Sequence, residues 1–358
     1  MKTDRLQKVI GNMQRMKLNQ LLISSPTSIY YLTDKWIAPG ERMLALLVKD
    51  TGECRLFANK LFALSPFEGA SLTEYSDTDD AVGILSDYLT SGALGVDKDW
   101  PCRFALPLQD RRSDIRLTVG SPAVDRARML KTDEEIHLMR QSSRLNDMAV
   151  DRAINALCPG VTEARIAEVY KDSAVSLGAE GESFDSLVCF GANCAEPHHA
   201  TDATILKEGD SVILDVGAKL NGYCSDMTRT VFYGKATDEQ KKVYDLVKRA
   251  NEAGRAAAKP GALLKDVDKA ARSVIENAGY GKYFIHRTGH GIGLEVHEFP
   301  DVSQTSEAVC KPGMIFSVEP GIYLPGKFGV RIEDLVLMTE NGSETFNQYS
   351  KEMREIEC

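Results

Sequence analysis

The chain has 358 residues, of which 43% are hydrophobic and 27% charged, and its formal net charge is −9. That length admits two domains, on a soft prior of about 150 residues each. The acidic balance excludes an extended nucleic-acid-binding face, and no run approaches the ~18 apolar residues of a membrane span. The N-terminal stretch MKTDRLQKVIGNMQRMK is charged and amphipathic, without the apolar core of a signal peptide, so the expected compartment is the cytoplasm. Cysteines 54, 102, 158, 189, 194, 224, 310 and 358 are scattered without a CxxC pair and read as reduced thiols.

In chain order, residues 4–17 predict a helix with Leu6, Val9, Ile10, Met13 and Met16 on one side. LLISSP (21–26) is a short strand ended by Pro26. MLALLVK (43–49) leads through Asp50-Thr51-Gly52 into ECRLFAN, a hairpin. A helix around Ala81–Leu89 and the strand ALGVD follow. Residues 1–124 thus form a mixed α/β unit without a histidine, suited to scaffolding or to covering a site built elsewhere. The boundary falls near Pro122–Lys131. Thr132 with Glu135 is a capping box opening a long helix that Cys158-Pro159-Gly160 ends, and Thr162 caps a helix to Gly178. Strands are expected at 184–190, 211–217 and 227–233. Thr237 with Gln240 opens a helix to about Ala258, a further helix reaches Gly279, and strands return at 283–287, 314–318 and 330–338.

That order repeats. Pro159-Gly160 and Gly178 recur 101 positions later as Pro260-Gly261 and Gly279. KEGDSVILDVG (207–217) recurs 104 later as KPGMIFSVEPG (311–321), which sets Glu319 where Asp215 stands. Gly222 and Asp226 recur 107 later as Gly329 and Glu333. The second domain therefore reads as two helix–helix–hairpin units about an approximate two-fold, compactly satisfied by a single sheet with helices on one face.

Three of six histidines, His286, His290 and His297, fall in HRTGHGIGLEVHEF (286–299). Asp215 and Glu319 end apolar strands, and Asp226 and Glu333 lie beyond the turns that follow. Carboxylates at buried strand ends are costly unless a cation compensates them. Four acids in symmetry-related pairs beside His290 suit two divalent ions, and oxygen-rich ligation favours manganese, cobalt or iron over a structural thiolate zinc.

Asp215…Asp226…His290…Glu319…Glu333, together with TGHGIGLEVHE, SVEPGIY and GVRIEDL, resembles the metallopeptidase family of prolidase, aminopeptidase P and methionine aminopeptidase over residues 130–350. The first 124 residues resemble the smaller domain of its prolidase and aminopeptidase P branch. The resemblance implies an α+β protein: a pita-bread catalytic domain over 132–358, preceded by a creatinase/prolidase-type α/β domain over 1–124. It implies two divalent metals (manganese foremost, or cobalt, iron or zinc) on Asp215, Asp226, His290, Glu319 and Glu333. Asp226 and Glu333 would bridge both ions. It makes Glu319, His297 and His198 catalytic, with His286 and Arg331 meeting substrate. His198 is chosen over His199 because it follows Pro197, and Arg287 receives no role. The implied substrates are small peptides with proline second, cut by a homodimer without nucleic-acid or membrane partners. A creatinase-like C–N hydrolase and a non-catalytic binding protein on the same fold are the alternatives.

Overall fold

The computed structural model describes residues 1–66 and 68–357, so Cys358 lies outside the described residues. The chain divides into two compact units, Met1–Arg128 and Met129–Cys358.

The first unit runs α1 (Thr3–Arg15), β1 (Gln20–Ile23), α2 (Pro26–Thr33), β2 (Ala45–Lys49), β3 (Cys54–Asn59), β4 (Ser71–Tyr75), α3 (Ala81–Ser86), β5 (Gly92–Val96), α4 (Cys102–Arg111) and β6 (Ile115–Val119), then α5 (Pro122–Met129). Its strands form one sheet of order β4-β3-β2-β1-β5-β6. The expected hairpin is present, with Ala45 opposite Phe57 and Val48 opposite Cys54. Pro26 does more than end a strand. It occupies the first turn of α2, where its fixed φ suits the helix and its missing N–H costs nothing, and the Ser25 side chain caps Ser28 N. The helix α4 escapes sequence reading for a physical reason: Leu108 is its single buried residue and Pro107 interrupts it.

The second unit opens with α6 (Asp133–Asn155) and α7 (Glu163–Ser176). It continues through β7 (Gly181–Glu182), β8 (Leu187–Phe190), β9 (Ser211–Val216), β10 (Ala218–Leu220), β11 (Tyr223–Cys224) and β12 (Met227–Tyr233). Its second half has α8 (Asp238–Ala257), α9 (Leu264–Asn277), β13 (Gly289–Gly291), β14 (Glu298–Val302), β15 (Ile315–Val318), β16 (Gly321–Leu324) and β17 (Phe328–Arg331). It finishes with β18 (Asp334–Thr339), β19 (Gly342–Thr345) and β20 (Glu355–Ile356). Both capping boxes form, Thr132 with Glu135 and Thr237 with Gln240, each joining side chain to backbone in both directions.

The halves match in detail. Gly160 and Gly261 turn the chain after the first helix of each half at φ +82° and +85°. The isolated bridges Thr162–Ile205 and Leu263–Val309 stand at corresponding places. Each helix pair packs on strands of its own half: Ile154, Ile166 and Tyr170 against Val188, Leu214 and Val231, and Val247, Ala271 and Ile275 against Ile322 and Val330.

Three expectations change. The strands do not make one continuous sheet but two principal ones, β20-β12-β9-β8 and β14-β13-β15-β18-β19, with smaller β11-β10-β7 and β16-β17 sheets. The halves are stitched by Thr230, whose Oγ1 donates to Arg331 O (2.8 Å) and accepts from Arg331 N (3.1 Å). The segment expected as a strand at 283–287 is instead a 3₁₀ turn, Gly281–Tyr283, followed by irregular chain. The long strand expected at 330–338 is cut between Arg331 and Asp334. Residues 328–338 are buried on both faces, so no alternation marks that cut. No helix among the described residues is long and apolar enough to cross a membrane. The seven cysteines among them are unpaired.

Candidate active site

The cut strand matters because Glu333 sits in it. Glu333, Glu319 just after β15, Asp215 near the end of β9, Asp226 just before β12 and His290 in the middle of β13 all line one cavity of about 440 Å³. Strand ends and breaks place these side chains where backbone pairing stops. Gly289 permits the close approach of β13, because a Cβ there would overlap the carbonyl oxygen of Ser317.

Asp226, His290 and Glu333 offer ligand atoms within 4.8 Å of one another. His290 Nε2 lies 3.3 Å from Glu319 Oε1 and 3.7 Å from Asp226 Oδ2. His290 Nδ1 donates to Gly291 O (3.1 Å), which leaves Nε2 bearing the lone pair. Burial, and then the neighbouring His297, lower its pKa to about 3, so the ring is neutral. Asp215 is turned aside towards Arg331, whose Nη2 donates to Oδ2 at 2.6 Å.

Asp226 and Glu333 fit a cation, and each keeps one oxygen unpaired among the described residues. These oxygens, Asp226 Oδ1 and Glu333 Oε1, are buried with no hydrogen-bond partner among the described residues. Burial pushes both carboxyls well above the usual range. Glu333 and Asp215 add repulsion at Asp226, and Glu319 and Asp215 add it at Glu333. Burial also raises Glu319 to about 7. Orphaned carboxylate oxygens beside a neutral imidazole are a donor set for hard or borderline divalent ions.

The remaining expected residues divide. His198 and His297 line the cavity, and the His297 ring stands edge to face with His290 at 4.2 Å between centroids. His199 turns away, its Nε2 3.1 Å from Glu163 Oε2. The fully buried Glu163 carboxylate also accepts from Phe190 N (2.7 Å), Asn193 Nδ2 (2.9 Å) and Asp202 N (3.1 Å), which fastens the loop that presents His198. The adjacent histidines therefore have opposite surroundings. On the other side, the buried pair Lys131–Glu298 (3.2 Å) pins the residue after His297.

His286 and Arg331 line the cavity but are engaged internally. His286 Nδ1 donates to Arg287 O (2.7 Å), and its Nε2 accepts from the Tyr323 hydroxyl (2.9 Å). Burial lowers its pKa to about 4, with Arg331 the next cause. Arg331 donates to Tyr323 (2.9 Å), to Thr228 Oγ1 (3.1 Å) and to Asp215. Thr228 in turn donates to Glu333 Oε2 (2.7 Å). Each half thus holds an acid of the other. Sequence reading passed over Tyr323 and Thr228. Tyr323 stands in the quoted SVEPGIY motif, and Thr228 is two residues beyond Asp226.

A model of metallopeptidase family M24 matches residues 137–340, and one of the creatinase/prolidase N-terminal domain matches residues 5–130. The chain belongs to metallopeptidase family M24. An uncharacterised peptidase of Staphylococcus saprophyticus is 37% identical over 97% of this chain and 100% of its own. A prolidase from Thermococcus sibiricus is similar with a TM-score of 0.94 at 33% identity, covering 100% of this chain and 99% of that one. A dipeptidase from Mycobacterium ulcerans gives 0.94 at 31%, covering 100% and 98%. The family's pita-bread fold is that of the second unit, and the first unit is of the creatinase N-terminal type.

Proposed function

We propose that this protein is a dinuclear-metal exopeptidase that hydrolyses Xaa-Pro bonds at the N-termini of small peptides. The observation that carries the reading is the pair of orphaned oxygens, Asp226 Oδ1 and Glu333 Oε1, buried beside neutral His290 in a cavity shared with Asp215 and Glu319. Likeness to proteins named prolidase and dipeptidase supports the substrate class. Apolar Phe184, Leu187, Pro197 and Val296 in the same lining suit a compact proline ring.

Asp215, Asp226, His290, Glu319 and Glu333 would hold the ions. Bound divalent metals supply Lewis-acid polarisation of the scissile carbonyl and an attacking water of lowered pKa. Glu319 takes the proton of that water and hands it to the leaving proline nitrogen. His297 and His198 face the cavity with no ring hydrogen bond among the described residues, and they donate to the oxyanion that forms at the carbonyl. Tyr323, Arg331 and Thr228 hold Asp215 and Glu333 in place. His286, with both ring nitrogens engaged, forms cavity wall and orients Tyr323. The ligand chemistry favours manganese, cobalt or iron over magnesium, which prefers a more hydrated octahedral site.

The test is metal analysis of the purified protein alongside an Ala-Pro assay, with creatine as the control for C–N hydrolysis. Metal-dependent release of proline is expected. Full activity in verified metal-free protein overturns the metal assignment, and turnover of creatine without any Xaa-Pro cleavage overturns the substrate.

A further inference from the structure

Arg331 and Arg287 both line the cavity, and they differ in availability. The Arg331 side chain is 3% exposed and is committed to Asp215, Tyr323 and Thr228. The Arg287 side chain is 36% exposed. Among the described residues its guanidinium has one acceptor, Asp301 Oδ1, reached through Nη1. Nε and Nη2 have no acceptor among the described residues. Asp301 is itself exposed, on β14 directly opposite His290 of β13, so this ion pair sits at the open side of the site. Arg287 is therefore the accessible fixed positive charge of the cavity.

A dipeptide brings two charges into this space. Its ammonium end is drawn to the acids, and its carboxylate end must give up water in a cavity whose other arginine is already committed. A cation must offset that desolvation, and a guanidinium fork suits a carboxylate better than any other side chain. A longer peptide, or a dipeptide amide, carries a neutral group at the same place and needs no such partner. We propose that Arg287 receives the α-carboxylate of a dipeptide substrate and biases the enzyme towards dipeptides over longer peptides. Sequence reasoning had Arg331 meeting substrate, whereas its guanidinium is committed to Asp215, Tyr323 and Thr228 and leaves this role to Arg287. Asp301 acts as the counter-ion that steadies the guanidinium in the empty site and competes with substrate for it. This inference rests on the Xaa-Pro reading above.

The experiment compares kcat/KM of the metal-loaded protein for Ala-Pro, Ala-Pro-amide and Ala-Pro-Ala, in the native sequence and in Arg287→Gln, Arg287→Lys and Asp301→Asn. The native protein should prefer the free acid over the amide by about tenfold or more. Arg287→Gln should lower kcat/KM for Ala-Pro by about ten- to a hundredfold, chiefly through KM. That loss should exceed the loss on the amide by at least about tenfold. Arg287→Lys, which keeps the charge and loses the fork, should recover part of the preference, and Asp301→Asn should lower KM for the free acid. Equal losses on acid and amide would overturn the inference, and so would a native protein indifferent to the carboxylate. Should Arg287→Gln fail to fold, the native preference and the Lys variant still decide. Failure of the native protein to cut any of the three peptides would instead sink the Xaa-Pro reading.

Discussion

Asp97 in the first unit and Asp226 in the second are both buried acids beside strand ends, and their surroundings are opposite in kind. Asp97 Oδ2 accepts from the backbone N–H of Ser24 and of Ser25 (2.8 Å) and from Ser24 Oγ (3.3 Å), and its Oδ1 accepts from Ser121 Oγ (3.2 Å). Asp226 leaves Oδ1 without a partner and faces Glu333, Asp215 and Glu319. The second unit can satisfy buried acids too. Glu163 is surrounded by donors, and Asp268 accepts from Thr288 N, Thr288 Oγ1 and the Arg272 guanidinium. Burial of a carboxylate is therefore not what marks the site. Burial left uncompensated marks it, because that cost persists in a fold only where a cation answers it.

Asp226→Asn tests the contrast most severely. It removes one of the negative charges of the metal-type cluster, so activity should fall by more than about a thousandfold as metal is lost. The same substitution should make the metal-free protein more stable than metal-free native protein, because a buried repulsion has gone. Elemental analysis and thermal unfolding in chelator read the two effects. Retained metal with near-normal turnover, or a less stable metal-free variant, would remove Asp226 from the set. His297→Ala comes next. It should keep its metal and lose turnover by about a hundred- to a thousandfold, the size expected for one oxyanion donor. Loss of metal in that variant would make His297 a ligand or its support.

The contrast also explains how far the sequence could be read. The five metal-type side chains are legible because two copies of one unit align Asp215 with Glu319 and Asp226 with Glu333, and because the histidines crowd into one glycine-punctuated window. The braces behind them are not. Thr228 reaches Glu333, and Arg331 reaches Asp215, across more than a hundred residues, and such hydrogen bonds leave no local periodicity. His198 and His199 are neighbours of the same type, and only the buried Glu163, 36 residues before His199, separates their roles. The break at Glu333 is hidden for another reason: strands buried on both faces show a continuous apolar run, whatever their ends.

A smaller effect concerns the metal-free protein and pH. Asp226, Glu319 and Glu333 hold protons in the fold above their ordinary range, Glu319 to about 7, whereas the unfolded chain releases them near 4 to 4.5. The native state then binds more protons than the unfolded state, so stability falls as pH rises. His286 and His290, lowered from 6.5 to about 4 and about 3, act in the other direction: the native state binds fewer protons, and stability falls as pH drops below 6.5. Above 6.5 these histidines are neutral in both states and the acids act without that opposition. The midpoint of thermal unfolding in chelator should therefore decline from pH 6.5 upwards through 7. Saturating manganese should flatten that decline, since bound cations keep the acids ionised. A metal-free midpoint that is level or rising over this interval would contradict the repulsion assigned to the acids.

The smallest effect on catalysis belongs to Asp97, and it completes the comparison. Asp97→Asn keeps the shape of the side chain but replaces one acceptor oxygen by a donor amide, opposite groups that are themselves donors. Whichever way the amide turns, a donor then faces either the backbone N–H groups of Ser24 and Ser25 or the hydroxyl of Ser121. Only the hydroxyl can rotate to accept, so the amide oxygen should remain on the backbone side, with its charge assistance lost. The cost should be about 1–3 kcal/mol of folding stability, read as a shift in the urea midpoint of the first unit's unfolding with little change in slope. None of these partners lines the cavity, so metal content, kcat and KM for Ala-Pro should match the native protein below the unfolding transition. Asp226→Asn is expected to do the reverse, raising metal-free stability while abolishing turnover. If Asp97→Asn stabilises the protein, Asp97 is as uncompensated as the site acids, and the distinction between the two kinds of buried carboxylate fails.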